Sequence, residues 1–278
     1  MKKNKTIIQK FNGLIKSKVP RFLHHYGPKK YTTWQHIKCL LLKEKLRTTY
    51  RGLMEYLPYF RVKDIPHYTT LQKFASRIPI WIWNLILRLT NKIENCLIGA
   101  IDSTGFNKYS ASNYYLQRIN KNPHNKWIKL SIYVDILRRK ILSAKVRAKP
   151  AHDTKDVAYL IKQSKCLADT NLMDKGYDSE KIHTLFRERN VKTIIPTKKN
   201  AIRGRYREEM MKSFPKKKYN QRSIVEAMIG AIKRRFGSCL RSRSYRTQRS
   251  ELYIRLILYN ISLAKARLFL QRRLNRKV

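Results

Sequence analysis

The chain has 278 residues, 63 Lys and Arg against 17 Asp and Glu, and a formal net charge of +46. With 42% hydrophobic residues it is no disordered tail, and its length suits a catalytic domain with a smaller companion domain. A chain this basic repels itself, so a polyanion is the natural partner, DNA or RNA first. The charge is spread along the whole chain and not along one amphipathic helix, which argues against an anionic membrane surface.

Residues 1–30 are basic, broken by Pro20, Gly27 and Pro28, and read as a mobile arm without a signal-peptide apolar stretch. From Thr33 to Leu57 apolar residues recur at helical spacing: Ile37, Leu40 and Leu41, then Leu53, Met54 and Leu57. Thr48 or Thr49 can cap the second of these helices. Two short helices with a tight joint fit either a DNA-reading helix-turn-helix or a hairpin filling a core. Pro58 and Pro66 punctuate the chain, and helices resume from Thr70 to Glu94. Trp34, Trp81 and Trp83 are expected in the core. The most apolar window, Ile78 to Leu89, is too short to span a bilayer and contains Arg88, so no membrane partner is expected. Residues 31–94 therefore read as a small helical DNA-binding region.

At Asn95 the texture changes. The runs CLIGAID, KWIKLSIYVDIL and KILSAKVRA read as three strands, the last two joined by a basic turn at Arg138 to Lys140. A helix opened by Asp153, a strand ending at Asp174, a helix from Asp178, and the strand VKTIIPT follow. Residues 198–218 look like a basic loop. A long helix begins near Tyr219 and runs to about Phe236, and an amphipathic helix covers roughly Ser250 to Leu274. The order β-β-β-α-β-α-β-α makes residues 95–278, C-terminal helix included, an α/β domain. Its mixed sheet would carry helices on both faces, in the order of the ribonuclease-H-like fold. In that order the first and fourth strands lie side by side.

Acids are scarce, so each needs a reason. Asp102, in IDSTG, closes the first strand, and Asp174, in MDKGYDS, closes the fourth. Acids there point into the crevice where α/β sheets place their sites. Two carboxylates from neighbouring strands can share hard cations such as Mg²⁺. The third acid is Glu226. Tyr219, Arg222, Glu226 and Lys233 are separated by three, four and seven residues, so at about 100° per residue they share one helical stripe. Phosphodiester cleavage uses this mixture: carboxylates for metal ions, and basic groups for the flanking phosphates. Taken alone, Arg222 and Glu226 read as an ordinary i,i+4 ion pair, and each Asp as a turn former. Together the three acids are less easily accidental.

These residues resemble the DDE insertion-sequence transposases of bacteria and archaea that carry a Y-R-E-K signature. The pattern Y-x₂-R-x₃-E-x₆-K falls without a gap on Tyr219, Arg222, Glu226 and Lys233. IDSTG looks like the first-Asp motif, and Asp174 to Ser179 like the second. Ile65 to Phe74, IPHYTTLQKF, looks like the group's N-terminal region, so the resemblance covers roughly Thr32 to Ala266.

The resemblance implies a metal-dependent DNA transposase. Asp102, Asp174 and Glu226 would be catalytic and metal-binding, with Mg²⁺ or Mn²⁺, two ions in all. Tyr219, Arg222 and Lys233 would contact phosphates. The enzyme would nick the element's terminal inverted repeats, free a 3′-hydroxyl and join it to target DNA, as a homodimer in the synaptic complex. The stretch between Asp174 and Glu226 leaves little room for an inserted domain. A cytoplasmic, nucleoid-associated prokaryotic protein is expected, with Cys39, Cys96, Cys166 and Cys239 reduced. Alternatives are a catalytically silent DNA-binding relative and a stand-alone nuclease of the same fold. Among the other acids, Asp153 and Asp178 fit helix caps, and Asp135 lies on a central strand within reach of the metals. The run Lys216 to Lys218 is either a phosphate-tracking loop or a solvated charge run.

Overall fold

The computed structural model describes residues 13–274 except 14, 24–25, 27–28, 61–63, 92, 94, 109–117, 119–126, 150 and 200–202. For 264–274 it describes the backbone alone. The chain forms two compact units: residues 1–90 together with 242–278, and residues 91–241. This division departs from the expected one. The C-terminal helix was grouped with the catalytic domain, but it packs among the N-terminal helices.

The helical unit is built from α1 (Thr33–Leu46), α2 (Tyr50–Tyr56), α3 (Tyr68–Arg77), α4 (Ile80–Asn91, whose last residue falls in the second unit) and the C-terminal helix Tyr245–Leu274. The start of α1 is fixed by a capping box. The Gln35 N–H donates to Thr32 Oγ1 at 3.2 Å, and the Thr32 N–H donates to Gln35 Oε1 at 2.7 Å. Thr49 caps α2, accepting from the Gly52 N–H at 3.0 Å. The expected arm is not wholly free: residues 15–18 are helical, and Ile15 and Val19 are buried. Residues 1–12, Gly27, Pro28 and Glu94 lie outside the described residues. Trp34 and Trp83 are core residues as expected, but Trp81 is half exposed, one residue off the stripe that buries Ile82 and Trp83.

The C-terminal helix is held here by buried polar groups. Arg255, fully buried, donates to Glu44 at 2.8 Å and to Glu251 at 2.5 Å. Ser250 Oγ donates to the Ala75 carbonyl at 2.7 Å and accepts from Trp83 Nε1 at 3.0 Å. Such groups must be paired once desolvated, so partners far apart in sequence fix the packing.

The second unit is the expected α/β domain. Its strands are β1 (Cys96–Asn107), β2 (Trp127–Asp135), β3 (Lys140–Arg147), β4 (Ala168–Met173) and β5 (Lys192–Ile194). They pair in the order β3-β2-β1-β4-β5. The β3–β2 and β2–β1 pairs are antiparallel, and β1–β4 and β4–β5 are parallel. The first and fourth strands are therefore neighbours. The β2–β3 hairpin turns through Arg139 at φ 51°. The connecting helices are α5 (Thr154–Gln163), α6 (Glu180–Arg187), α7 (Arg205–Lys212) and α8 (Ser223–Phe236). The basic loop expected over 198–218 instead contains α7 and a turn of helix at Lys216–Tyr219. Helix α7 is tied down by Arg207, which donates two bonds to the buried Asp178 at 2.8 and 2.9 Å.

Side chains alternate across β1, so Asp102, Thr104 and Phe106 share one face, and Ser103 and Gly105 the other. Helix α5 covers the Ser103 face: Asp156 accepts from Ser131, which pairs with Ser103 in register. Helix α8 covers the Asp102 face: Lys233 Nζ donates to Thr104 Oγ1 at 2.7 Å. The sheet thus carries helices on both faces. All four cysteines are free, and no described helix is long and apolar enough to cross a membrane.

Candidate active site

The parallel ladder between β1 and β4 ends at the pair Ile101–Met173. The next residue on each strand is an acid, Asp102 and Asp174. Asp102 does not close its strand as expected. Strand β1 continues to Asn107 because β2 goes on pairing with it up to Trp127. What Asp102 closes is the pairing with β4. Asp174 leads into the short turn Lys175–Tyr177, its carboxylate accepting from the Lys175 N–H at 2.7 Å. Asp102 is fixed likewise by the Ser103 N–H at 2.9 Å.

The helical stripe meets β1 here. The α-helix starts at Ser223, later than expected, and a 3₁₀ turn at Asn220–Arg222 leads into it with right-handed backbone, so Tyr219 and Arg222 stand one short turn ahead of Glu226. The Arg222 guanidinium lies 3.6 Å from Asp102 Oδ2 and pairs with Glu226 Oε1 one turn on. Tyr219 packs edge-on against Phe214, with ring centroids 5.1 Å apart. Lys233 lies further along, bonded to Thr104 and 5.3 Å from the Phe106 ring centre. The six residues named from the sequence thus come together along one seam of the sheet.

Their electrostatics show mutual influence. Burial raises the Asp102 carboxyl to about 6; the Ser103 N–H and Arg222 pull it down, while Glu226 and Asp174 push it up. Burial raises the Tyr219 phenol, with Arg222 opposing and Asp174 and Glu226 adding to the rise. Burial lowers the Lys233 ammonium. Burial also works against the Arg222 charge, but Asp102, Tyr219, Glu226 and Asp174 outweigh it and raise its pKa.

As they stand, no three His, Cys, Asp or Glu side chains among the described residues are close enough to hold one ion. The donor chemistry nevertheless fits a hard divalent cation. Three carboxylates supply only oxygen ligands, and two of them act on the third through their charge.

A family model described as "Transposase DDE domain" matches residues 97–261, more than half of the chain. The chain belongs to the DDE transposase family. Domains of this family generally use divalent metal ions. Among solved structures, a piggyBac transposase synaptic complex with hairpin DNA, determined by cryo-electron microscopy, is similar at TM-score 0.52 and 12% identity. The similarity spans 91% of this chain and 70% of that one. At that identity it shows a shared fold.

Several other readings of this DDE domain change. Asp153 stands at the start of α5 but caps nothing. Its carboxylate accepts from Ser103 Oγ at 2.6 Å and pairs with Lys129. Asp178 likewise makes no cap to α6; it accepts from Arg207 and from the Lys198 N–H at 2.8 Å. Asp135 is paired in register with Gly99, three residues before Asp102, and takes the Arg138 N–H at 2.7 Å and its guanidinium at 3.0 Å. It is no metal ligand candidate. Lys218 is no loop residue: from its turn of helix it donates to Thr170 Oγ1 at 2.9 Å. Sequence reasoning missed the set behind Asp102, in which Ser103, Asp153 and Lys129 join Asp156 with its partners Lys145 and Arg147. The scarcity of acids was the available signal, since Asp156 sits in the first turn of α5 and is 1% exposed among cations.

Proposed function

We propose that this chain is a transposase that cuts DNA at the ends of an insertion sequence and joins them to a target. Asp102, Asp174 and Glu226 would be its catalytic, metal-binding acids. The observation that carries the reading is the convergence of β1, β4 and α8: two acids follow the last parallel pair, and a third faces them through Arg222. Two bound Mg²⁺ or Mn²⁺ ions would supply an activated water or hydroxyl nucleophile and stabilise the leaving oxygen.

The residues divide the remaining work. Asp102 is the most enclosed of the three acids, its position set by the Ser103 N–H. Glu226 is half exposed on α8 and can turn to meet a ligand between it and the strand ends. Arg222 balances the acids' charge and offers a planar fork for a scissile-strand phosphate. Lys233 and Tyr219 would bind phosphates on either side of that point, the first as a point charge and the second through its hydroxyl. The Y-R-E-K pattern supports an insertion-sequence enzyme of prokaryotic type, acting as a homodimer on paired terminal repeats. The net charge of +46 supports duplex DNA as partner.

Mn²⁺ titration of the full chain bound to terminal-repeat DNA, read by the electron-spin signal of the free ion, tests the assignment. Asp102→Ala and Glu226→Gln should each lose bound Mn²⁺ while still binding the DNA. Retention of full Mn²⁺ stoichiometry by both variants would remove these acids from the metal site.

A further inference from the structure

The helical unit contains a cavity of about 370 Å³ that belongs to none of the residues above. Its walls are aromatic: Phe22, Tyr26, Tyr31, His36 and Phe74. The imidazole of His36 stacks on Phe74, with centroids 4.4 Å apart and planes at 13°, and Tyr31 meets His36 edge-on at 5.8 Å. Lys29, Lys73 and Arg77 line the same cavity, and among the described residues no acid does. Lys29 Nζ stands 6.0 Å from the Phe22 ring centre.

Two polar groups sit in this wall. Thr33 is 2% exposed, and its hydroxyl has no partner. His36 Nδ1 lies 2.9 Å from the Thr32 carbonyl oxygen, which can only accept, so Nδ1 carries the proton. Burial lowers the His36 pKa and keeps the ring neutral, leaving Nε2 an acceptor.

We propose that this cavity receives one unpaired DNA nucleotide, its base against the aromatic walls and its phosphates on Lys29, Lys73 and Arg77. A paired base inside a duplex has both faces covered by its neighbours, so only an unpaired one can offer a π face to these rings. Aromatic faces joined to a cationic rim are how single strands are held without sequence preference. The cavity volume falls within the roughly 300–1,000 Å³ of sites that enclose small ligands. His36 Nε2 supplies an acceptor for a base edge. The inference rests on the reading of the chain as a DNA-processing enzyme, but it uses residues far in sequence from the three acids.

The test compares a DNA duplex bearing a single-stranded tail with one 2-aminopurine against the same duplex blunt, on the full chain, with chelator present to prevent cutting. The wild type should prefer the tailed duplex and quench the 2-aminopurine. Tyr26 is 93% exposed, so Tyr26→Ala spares the fold. It should weaken tail binding on the order of tenfold and reduce the quench, leaving the blunt duplex unaffected. Lys73→Ala with Arg77→Ala should lower the log–log salt slope for the tail by about 1.4. Equal affinity for tailed and blunt duplexes, or an unchanged quench in Tyr26→Ala, overturns the proposal. So does equal quenching of the free 2-aminopurine nucleoside, which would make this a small-molecule site. Loss of the tail preference with metal-dependent cutting intact sinks this site alone. A preserved preference in a chain that never cuts DNA leaves the site standing and sinks the transposase reading.

Discussion

Replacing Arg255 by alanine removes a guanidinium that lies between two buried carboxylates. Arg255 is fully buried, and the Glu44 and Glu251 side chains are 4% and 3% exposed. Lys43 Nζ also lies 3.7 Å from Glu44. Without Arg255, both buried carboxylates lose their guanidinium partner. Breaking a buried pair in this way costs about 3–5 kcal/mol, because the remaining charge must be hydrated, protonated or exposed. At roughly 2–4 °C per kcal/mol for a domain of 150–250 residues, the melting temperature should fall by about 6–20 °C. The control is Arg189→Ala, whose pair with Glu188 is 3.8 Å long and 45% and 64% exposed on its two sides. That pair should contribute about 0–1 kcal/mol. Thermal melts followed by circular dichroism would compare the two at one protein concentration. Equal losses in both variants would refute the claim that this buried cluster fixes the C-terminal helix in place.

Other variants probe the second unit. Gly99→Ala should destabilise by about 1–3 kcal/mol in urea, because a Cβ there would meet Asn171 Oδ1 and the Tyr133 ring at 2.7 Å; a neutral result would mean the β1–β4 contact is looser than described. Burial alone would raise the Asp178 carboxyl, but Arg207 and the Lys198 N–H reverse this and hold it below its usual value. Its contribution to stability should therefore be present above about pH 4 and be lost as pH falls through the depressed value. Asp178→Asn should lower stability at pH 7 and flatten that acid-side decline, and an unchanged pH profile would show that the Arg207 pair carries none of it. Lys233→Ala should weaken DNA binding and reduce the log–log salt slope by roughly one unit, read by fluorescence anisotropy across salt concentrations; an identical slope would mean Lys233 meets no phosphate.

Much of the site could be read in the sequence because its signals are local. The period of a helix puts Tyr219, Arg222, Glu226 and Lys233 on one stripe. The strand and helix order resembles the ribonuclease-H-like one, in which the first strand lies beside the fourth, and Asp102 and Asp174 are neighbours at the end of the β1–β4 ladder. What could not be read depends on partners distant in the chain. Asp153 looks like an N-cap in its own neighbourhood, yet its proton donor is Ser103, fifty positions earlier. Asp178 looks like a cap too, until Arg207 arrives from a helix hidden in a stretch rich in basic residues. The C-terminal helix belongs with the N-terminal ones because Arg255 and Ser250 find Glu44 and Ala75 there, and no periodicity encodes that choice. The extent of β1 beyond Asp102 was likewise set by pairing with β2, not by its own apolar run.

The central claim is that Asp102, Asp174 and Glu226 form one metal-dependent DNA-cutting and DNA-joining centre. The direct measurement is cleavage and strand transfer on DNA carrying the terminal repeats that flank this gene, with Mg²⁺ or Mn²⁺. A chelator control and the Asp102→Ala and Glu226→Gln variants run beside it. Metal-dependent nicks at the repeat ends and joined target products, both absent from the variants that still bind the ends, are the expected result. Tight end binding with no cutting under either metal, or cutting that survives in both variants, would contradict it.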